Sequence, residues 1–478
     1  MSEAELNIRL LTGIPGNGKT AKIRREILGN KGLYLYAAPT TNLIEEQHRS
    51  LCAEPQNIHV EAIHSKTKGQ GRVTERLMEA KKAIENANLQ HAVLLTTHES
   101  ILSNELPCFA GWHVYIDESI NALRSGVITR SFGGDILSSN FDLDLLESNG
   151  WSELKPRINC PRWQDLERDD SSSAQAEFYR LAFSGRGVFV KATSLQSAGP
   201  LQWVWVWSPL SLKGAASVTL AGAAFKSSVE FKVWKRHFAE ALSITEEPVS
   251  RSRPGCPTVR IHSFTEAHEG STTFWDTSEG RHCLNQIVNY LANDVPGLGF
   301  WSANEVAWKY MEHRTPGKQL PPKVAGLNEY ADLTSCALIY SAKPTPDDAP
   351  IQDLFGIAND ELLEAREAED IAQFIYRGAV RSPTFSGAFD IYLYSHRQAE
   401  QLRARLISDG VVADAELVPI PAAGIMDFRR PKAASQSREP ITIAERRKRD
   451  RTRKQEKRAL VARLKGRKPG QCGRPKKH

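Results

Sequence analysis

Short apolar runs and helix-period stretches alternate through roughly the first 120 residues. Leu6–Thr12, Gly32–Ala38, Ile58–Ile63, His91–Thr96 and Trp112–Ile116 read as strands. Lys19–Leu28, Asn42–Leu51 and the charged stretch Arg72–Ala87 read as helices between them. Strands separated by helices predict a parallel sheet covered on both faces. The pattern weakens over residues 125–200, which are rich in Ser, Asp and Gly and carry breakers such as Phe132-Gly133-Gly134. This reads as an insertion, and acidic clusters such as Asp142-Leu143-Asp144 and Glu167-Arg168-Asp169-Asp170 read as solvated loop charges. Trp203-Val204-Trp205-Val206-Trp207 alternates with a period of two, so it is a strand. An aromatic sheet face packed on the core is preferred there to a base-stacking platform. Val218–Ala221 resumes the strand pattern, and the Pro-rich Pro248–Pro257 stretch reads as an interdomain linker. A second alternating block follows, with strands at Val259–Phe264, Ala337–Tyr340 and Phe389–Tyr394. Its helices are expected at Arg281–Asn293, Asp360–Tyr376 and Arg397–Ser408. No solenoid-type repeat is visible.

A chain of 478 residues exceeds one ordinary core, so two or three domains are expected. The apolar fraction of 41% and charged fraction of 25% suit a soluble globular protein. No apolar run approaches membrane-helix length, so no membrane partner is expected. The start MSEAELNIRLL is acidic before it is apolar, unlike a secretory signal. The seven cysteines (52, 108, 160, 256, 283, 336 and 472) never form CxxC pairs, which predicts reduced thiols in a cytoplasm and no zinc site. The net charge of +6 is unevenly spread. Residues 429–478 hold 20 Lys and Arg against four Asp and Glu, a net of +16 that leaves −10 for residues 1–428. A mildly acidic body with a basic tail points to a polyanionic partner.

The sharpest chemical signal is Gly13-Ile14-Pro15-Gly16-Asn17-Gly18-Lys19-Thr20, a GxxxxGK[ST] sequence between a strand and a helix. Its glycines let backbone N–H groups turn toward phosphate oxygens, Lys19 neutralises β/γ charge, and Thr20 is placed to hold Mg²⁺. The nucleotide expected is ATP. Trp112-His113-Val114-Tyr115-Ile116-Asp117-Glu118 supplies the acidic partner, an apolar strand ending in two carboxylates. Asp117 is the expected Mg²⁺-shell ligand and Glu118 the residue that orients or deprotonates the attacking water.

Further segments resemble the motifs of superfamily-two helicases. Ala38-Pro39-Thr40-Thr41-Asn42-Leu43 through Gln47 is similar to that family's APTxxLxxQ element, and Thr96-Thr97-His98 to the TTH element before the DE strand. The resemblance implies nucleic-acid contacts at Pro39, Thr40, Thr41, Thr97 and His98. Thr219-Leu220-Ala221-Gly222-Ala223 resembles the small-residue third motif. Gly326-Leu327-Asn328-Glu329-Tyr330-Ala331-Asp332 resembles the fifth, implying nucleotide contacts at Gly326 and Asp332 and a nucleic-acid contact at Asn328. Gln373 through Arg381 is similar to the sixth, QxxGRxxR, whose arginines reach the γ-phosphate across the domain cleft. Arg377 is the first choice for that arginine and Arg381 the second, with Gln373 beside them. Tyr376 departs from the family by replacing a glycine, and the spacing Q-x3-R-x3-R is similar to helicase-like proteins of phages, plasmids and mobile elements.

The fold expected is α/β, with two RecA-like P-loop domains built on parallel sheets, over residues 1–250 and 257–428. The first domain carries the insertion, and residues 429–478 form a basic, disordered nucleic-acid-binding tail. Within that tail Gly473-Arg474-Pro475 resembles an AT-hook core, which places Arg474 in a narrow minor groove and favours DNA over RNA. The expected function is a cytoplasmic ATP-dependent DNA helicase or translocase in replication or repair of phage- or plasmid-type DNA, where replication or recombination proteins are conceivable partners. Two alternatives stay open: a P-loop ATPase for DNA packaging or virion assembly, and an ATP-switched DNA-binding replication regulator.

Overall fold

A computed structural model of the chain describes residues 5–54, 58–103, 106, 108–128, 139–145, 150–160, 173–184, 187–193, 200–223, 225–322 and 329–429. The first block builds β1 (Leu6–Thr12), β2 (Leu33–Ala38), β3 (His59–Ala62), β4 (Ala92–Thr97) and β5 (His113–Asp117). Helices α1 (Lys19–Gly29) and α2 (Thr41–Cys52) follow the first two strands. The chain then leaves for a separate antiparallel sheet of β6 (Leu123–Ile128), β7 (Phe141–Leu145), β8 (Trp151–Pro156), β9 (Val188–Lys191) and β10 (Leu201–Val206). It returns through β11 (Ser217–Ala221) and β12 (Leu242–Pro248) to complete the first sheet. The order of that sheet is β12-β1-β11-β5-β2-β4-β3, with every pairing parallel. Both faces are covered, which is why Tyr34–Ala38 are all buried rather than alternating.

The second block forms β13 (Thr258–Thr265), β14 (Phe300–Ala303), β15 (Lys318–Gln319), β16 (Ser335–Ile339), β17 (Ala388–Ser395) and β18 (Glu416–Pro419). These make a second parallel sheet, ordered β15-β14-β16-β17-β13-β18. The protein is therefore α/β with two parallel sheets, as the RecA-like expectation requires.

Three sequence expectations change. The described residues of the insertion form a five-stranded sheet, and the tryptophan strand belongs to it. Its tryptophans do pack in the core: Trp203, Trp205 and Trp207 are buried, with Phe178 of the Ser173–Ser184 helix lying 5.7 Å from Trp203. The acidic cluster at Asp142–Asp144 is not a loop but part of β7. Its carboxylates meet basic side chains, Asp142 with Arg157 and Asp144 with Lys155 on β8. Glu167–Asp170 lies outside the described residues. The single helix expected over Asp360–Tyr376 is split into Asn359–Leu363 and Glu369–Ile375 by a π-helical turn at Glu364–Ala368.

That turn ends an excursion of the second domain. After β16 the chain runs over the insertion, placing Ile351, Leu354, Phe355, Ile357, Leu362 and Ala365 in one apolar core with the tryptophan strand. Polar contacts fix its course. Ser125 Oγ donates to Asp347 O at 2.8 Å, and the Trp151 indole and Lys191 both donate to Asp353. Arg236 donates to the carbonyls of Phe355 (3.1 Å) and Gly356 (2.9 Å). The two domains are thus joined through a shared core as well as through the linker. Phe355→Ala should lower unfolding free energy by about 3 kcal/mol, because it empties a buried aromatic site. Urea titration should show one transition shifted as a whole; a separate early step would mean that the excursion unfolds independently.

Candidate nucleotide-binding cleft

The cleft between the two parallel sheets has a volume of about 330 Å³. From the first domain it is lined by Gly16, Gly18, Lys19, Thr20, Asp117 and Glu118, and from the second by Gln373, Tyr376, Arg377 and Arg381. The two walls come from segments at least 255 positions apart in the chain (Glu118 to Gln373), so only the fold brings them together.

The loop that joins β1 to α1 depends on glycine. Gly13 and Gly16 adopt φ +138 and +86, a region costly for residues with a Cβ. A Cβ on Gly13 would lie 2.5 Å from Val249 O, and one on Gly16 would lie 2.9 Å from both Cγ and Nε of Arg381. The curl turns Lys19 inward, where its ammonium donates to Gly13 O (2.7 Å) and Ile14 O (3.0 Å). Burial pulls its pKa down, against the attraction of Glu118 and Asp117.

Thr20 Oγ1 donates to Asp117 Oδ2 at 2.7 Å, and the Tyr36 hydroxyl donates to the same oxygen at 2.6 Å. Burial raises the Asp117 pKa, and these two hydrogen bonds pull it back. Among the described residues there is no group of three or more His, Cys, Asp and Glu side chains able to hold a metal. A hydroxyl beside one carboxylate is nonetheless the hard-oxygen pair Mg²⁺ takes when phosphates and water complete its shell, so the residues fit that ion.

Glu118 stands at the tip of β5 with φ +68, and its N–H donates to Ala221 O at 2.7 Å. A left-handed glutamate is strained, and the β11–β5 pairing holds it there. Burial, then the Asp117 charge, pushes its carboxyl up to about 7. Ala223 of the small-residue segment also lines the cleft.

On the far wall, Arg381 packs its stem on Gly16, and its charge acts on both Lys19 and Glu118. Arg377 is buried deeper in the second domain. Its guanidinium donates to Pro321 O (3.1 Å) and Pro322 O (3.4 Å) and lies over the Phe374 ring, and burial lowers its pKa to about 10. Gln373 hydrogen-bonds Glu369. Asn17 donates to Val249 O at 3.2 Å, holding the P-loop to the start of the linker.

Other expected residues lie elsewhere. Asp332 is exposed and does not line the cleft, because the Tyr330–Leu333 turn aims it outward while the Leu333 carbonyl accepts Ala379 N–H. His98 is no surface contact: it is buried, with Nε2 2.8 Å from Asp117 O and a second hydrogen bond to the Ala37 backbone. It ties β2, β4 and β5 together. Pro39, Thr40, Thr41 and Thr97 do stand at the C-terminal ends of the adjacent strands β2 and β4, with Thr40 accepting Leu43 N–H at 3.3 Å as a helix cap. Gly326, Asn328 and Arg474 lie outside the described residues.

Sequence reading missed Tyr36 and Arg24, which border the site, and gave no role to Glu46 and Gln47 of the quoted motif. The signal for Tyr36 was its place one strand over from the DE strand, a neighbourhood that sheet order alone reveals.

No family profile matches this sequence, and no curated protein matches it. Solved structures match this chain at low identity. Xpd4 of S. tokodaii is 12% identical with TM-score 0.45, over 86% of this chain and 96% of that one. S. cerevisiae Dbp5 bound to RNA and ADP BeF3 is 10% identical with TM-score 0.37, over 87% and 85%. RecG bound to a three-way DNA junction is 14% identical with TM-score 0.33, over 83% and 41%. Among the described residues no helix is long and apolar enough to cross a membrane.

His98 makes a pH prediction. Its folded pKa is depressed to about 4, so the unfolded chain binds the extra proton between pH 6.5 and 4. Stability from this group is complete above about 6.5 and is lost as pH falls toward 4, by at most about 1.4 kcal/mol per unit. Urea midpoints across that window should slope less in His98→Asn than in the parent chain; equal slopes would remove His98 as the source.

Proposed function

We propose that the chain is a nucleic-acid-stimulated ATPase of the helicase kind, hydrolysing ATP in the cleft and using cleft closure to move on DNA. One observation carries this reading: Arg381 from the second domain lies on Gly16 of the P-loop, facing Lys19, Asp117 and Glu118 from the first. A site split between two domains responds to their separation, which is what a motor needs.

In this reading the P-loop N–H groups, including that of Gly18, cradle the phosphates and Lys19 neutralises them. Thr20 and Asp117 would hold Mg²⁺, which would supply positive charge to the phosphate oxygens. Glu118, as carboxylate, accepts the proton of the attacking water. Arg381 stabilises charge on the transferred phosphoryl group, and so takes precedence over Arg377, whose guanidinium is engaged by Pro321 and Pro322. Gln373 lies on the same wall and helps place the water. The strand is read along Pro39, Thr40, Thr41 and Thr97, where free helix N–H groups and hydroxyls suit a phosphate backbone. The preference for DNA rests on the tail, with Arg474 in the groove and generic phosphate binding by its other basic residues. The spacing of Gln373, Arg377 and Arg381, similar to helicase-like proteins of phages and plasmids, supports a role in replication or repair of such DNA.

Turnover is to be measured alone and with single-stranded DNA, duplex DNA and RNA. DNA should raise it many-fold, and Lys19→Ala and Arg381→Ala should each abolish most of it. Slow turnover indifferent to every nucleic acid would defeat the motor reading.

The pH profile tests Glu118 separately. Its raised pKa keeps the acid form below about 7, so kcat/KM should rise with pH through about 7 and then level. Glu118→Gln should cost roughly 10²–10⁴ in turnover and erase that limb. A limb that survives in Glu118→Gln belongs to another group.

A further inference from the structure

The linker between the two domains touches both walls of the cleft. At its start, Val249 N–H donates to Thr12 O (2.8 Å), and Val249 O accepts from Asn17 of the P-loop (3.2 Å). Four residues later, Arg253 reaches the loop that carries Arg381. Its guanidinium donates to Val380 O at 2.7 Å, and at 3.4 Å to Arg381 O and Ser382 O. Those three carbonyls leave the end of the Ala379–Arg381 3-10 turn. Gly255 N–H adds a bond to Pro383 O (2.9 Å), and Cys256 N–H one to Ser386 Oγ (3.2 Å).

We propose that Arg253 is a positioning residue that holds Arg381 against the P-loop. The proposal rests on the reading of Arg381 as the charge-stabilising arginine. A guanidinium presents several N–H donors in one rigid plane, so one side chain can satisfy successive carbonyls and fix the turn they end. Among the described residues no carboxylate forms an ion pair with Arg253. Burial lowers the pKa of Arg253, and the group offsetting this is Tyr376, a neutral phenol at ordinary pH. A half-buried cation set among carbonyls is costly to hold, and here it is spent on the geometry of one turn.

The linker also limits how far the two walls separate at this point. From Val249 to Arg253 an extended chain spans at most about 14 Å. While both ends stay bonded, that short span tethers the Arg381 turn to the P-loop. Arg253 therefore sets where Arg381 lies each time the cleft closes.

The test is a double-mutant cycle on the full chain, reading kcat, KM for ATP and thermal midpoint with saturating single-stranded DNA. Arg253→Ala should lower kcat by between about tenfold and a hundredfold, the usual cost of a catalytic group displaced by an ångström or so. KM and the thermal midpoint should hold, and Arg253→Lys, which keeps one donor centre, should restore part of the rate. With Arg381 already replaced by Ala, adding Arg253→Ala should change nothing further. Losses that multiply, or a fall in thermal midpoint without a fall in kcat, would overturn the proposal. The two readings separate cleanly: normal turnover in Arg381→Ala removes the role of Arg381 itself. Slow Arg381→Ala beside normal Arg253→Ala removes only the positioning role.

Discussion

The first domain is organised around one buried oxygen, Asp117 Oδ2. A carboxylate taken out of water is costly unless its lone pairs are met, and here Thr20 and Tyr36 meet the same atom from two sides. Those donors come from the start of α1 and from β2, so β5 must lie beside β2 and within reach of the P-loop. The sheet order β1-β11-β5-β2 satisfies this. His98 strengthens it from behind, accepting burial as a neutral ring to join the backbones of β2 and β5. The same order brings β11 against β5, and its Ala221 carbonyl holds Glu118 in a conformation a free glutamate avoids. A strained residue of this kind costs about 1–3 kcal/mol, which a sheet buried on both faces can sustain.

Besides the contact of Arg381 with Gly16, the second domain meets this arrangement at two further places. One is the linker, short and hydrogen-bonded at both ends. The other is the excursion after β16, whose apolar side chains share the core of the insertion. The excursion returns through a π-helical turn into the helix bearing Gln373. π-turns break the regular ladder and commonly mark working segments of a helix. The insertion thus has a structural role that its irregular sequence conceals: it docks a piece of the second domain, and the helix leading to Arg377 and Arg381 begins where that piece ends.

The position of Tyr376 shows how one departure from a familiar pattern is absorbed. A glycine there would leave space; the tyrosine fills it, donates to Asp409 at 2.8 Å, and borders the cleft. Asp409 in turn accepts from Arg405, so the phenol is held by an ion pair of the last helix. The departure alters the wall of the site without moving Arg381 from the P-loop.

Sequence alone determined the local pieces. β1 matches the expected strand residue for residue, and the helices after the first two strands fall within one or two positions of expectation, because apolar period and glycine placement are encoded by neighbours in the chain. Lys19, Thr20, Asp117 and Glu118 were legible for the same reason, each being part of a short pattern with its own chemistry. Tertiary structure decided the rest. It buried His98, turned Asp332 outward, set Arg381 on Gly16 while Arg377 faced two proline carbonyls, and made a sheet of the insertion whose charged strands read as loop. Each of those outcomes depends on which strands lie side by side and which way a turn faces. Such contacts join residues tens to hundreds of positions apart, and no local spacing records them.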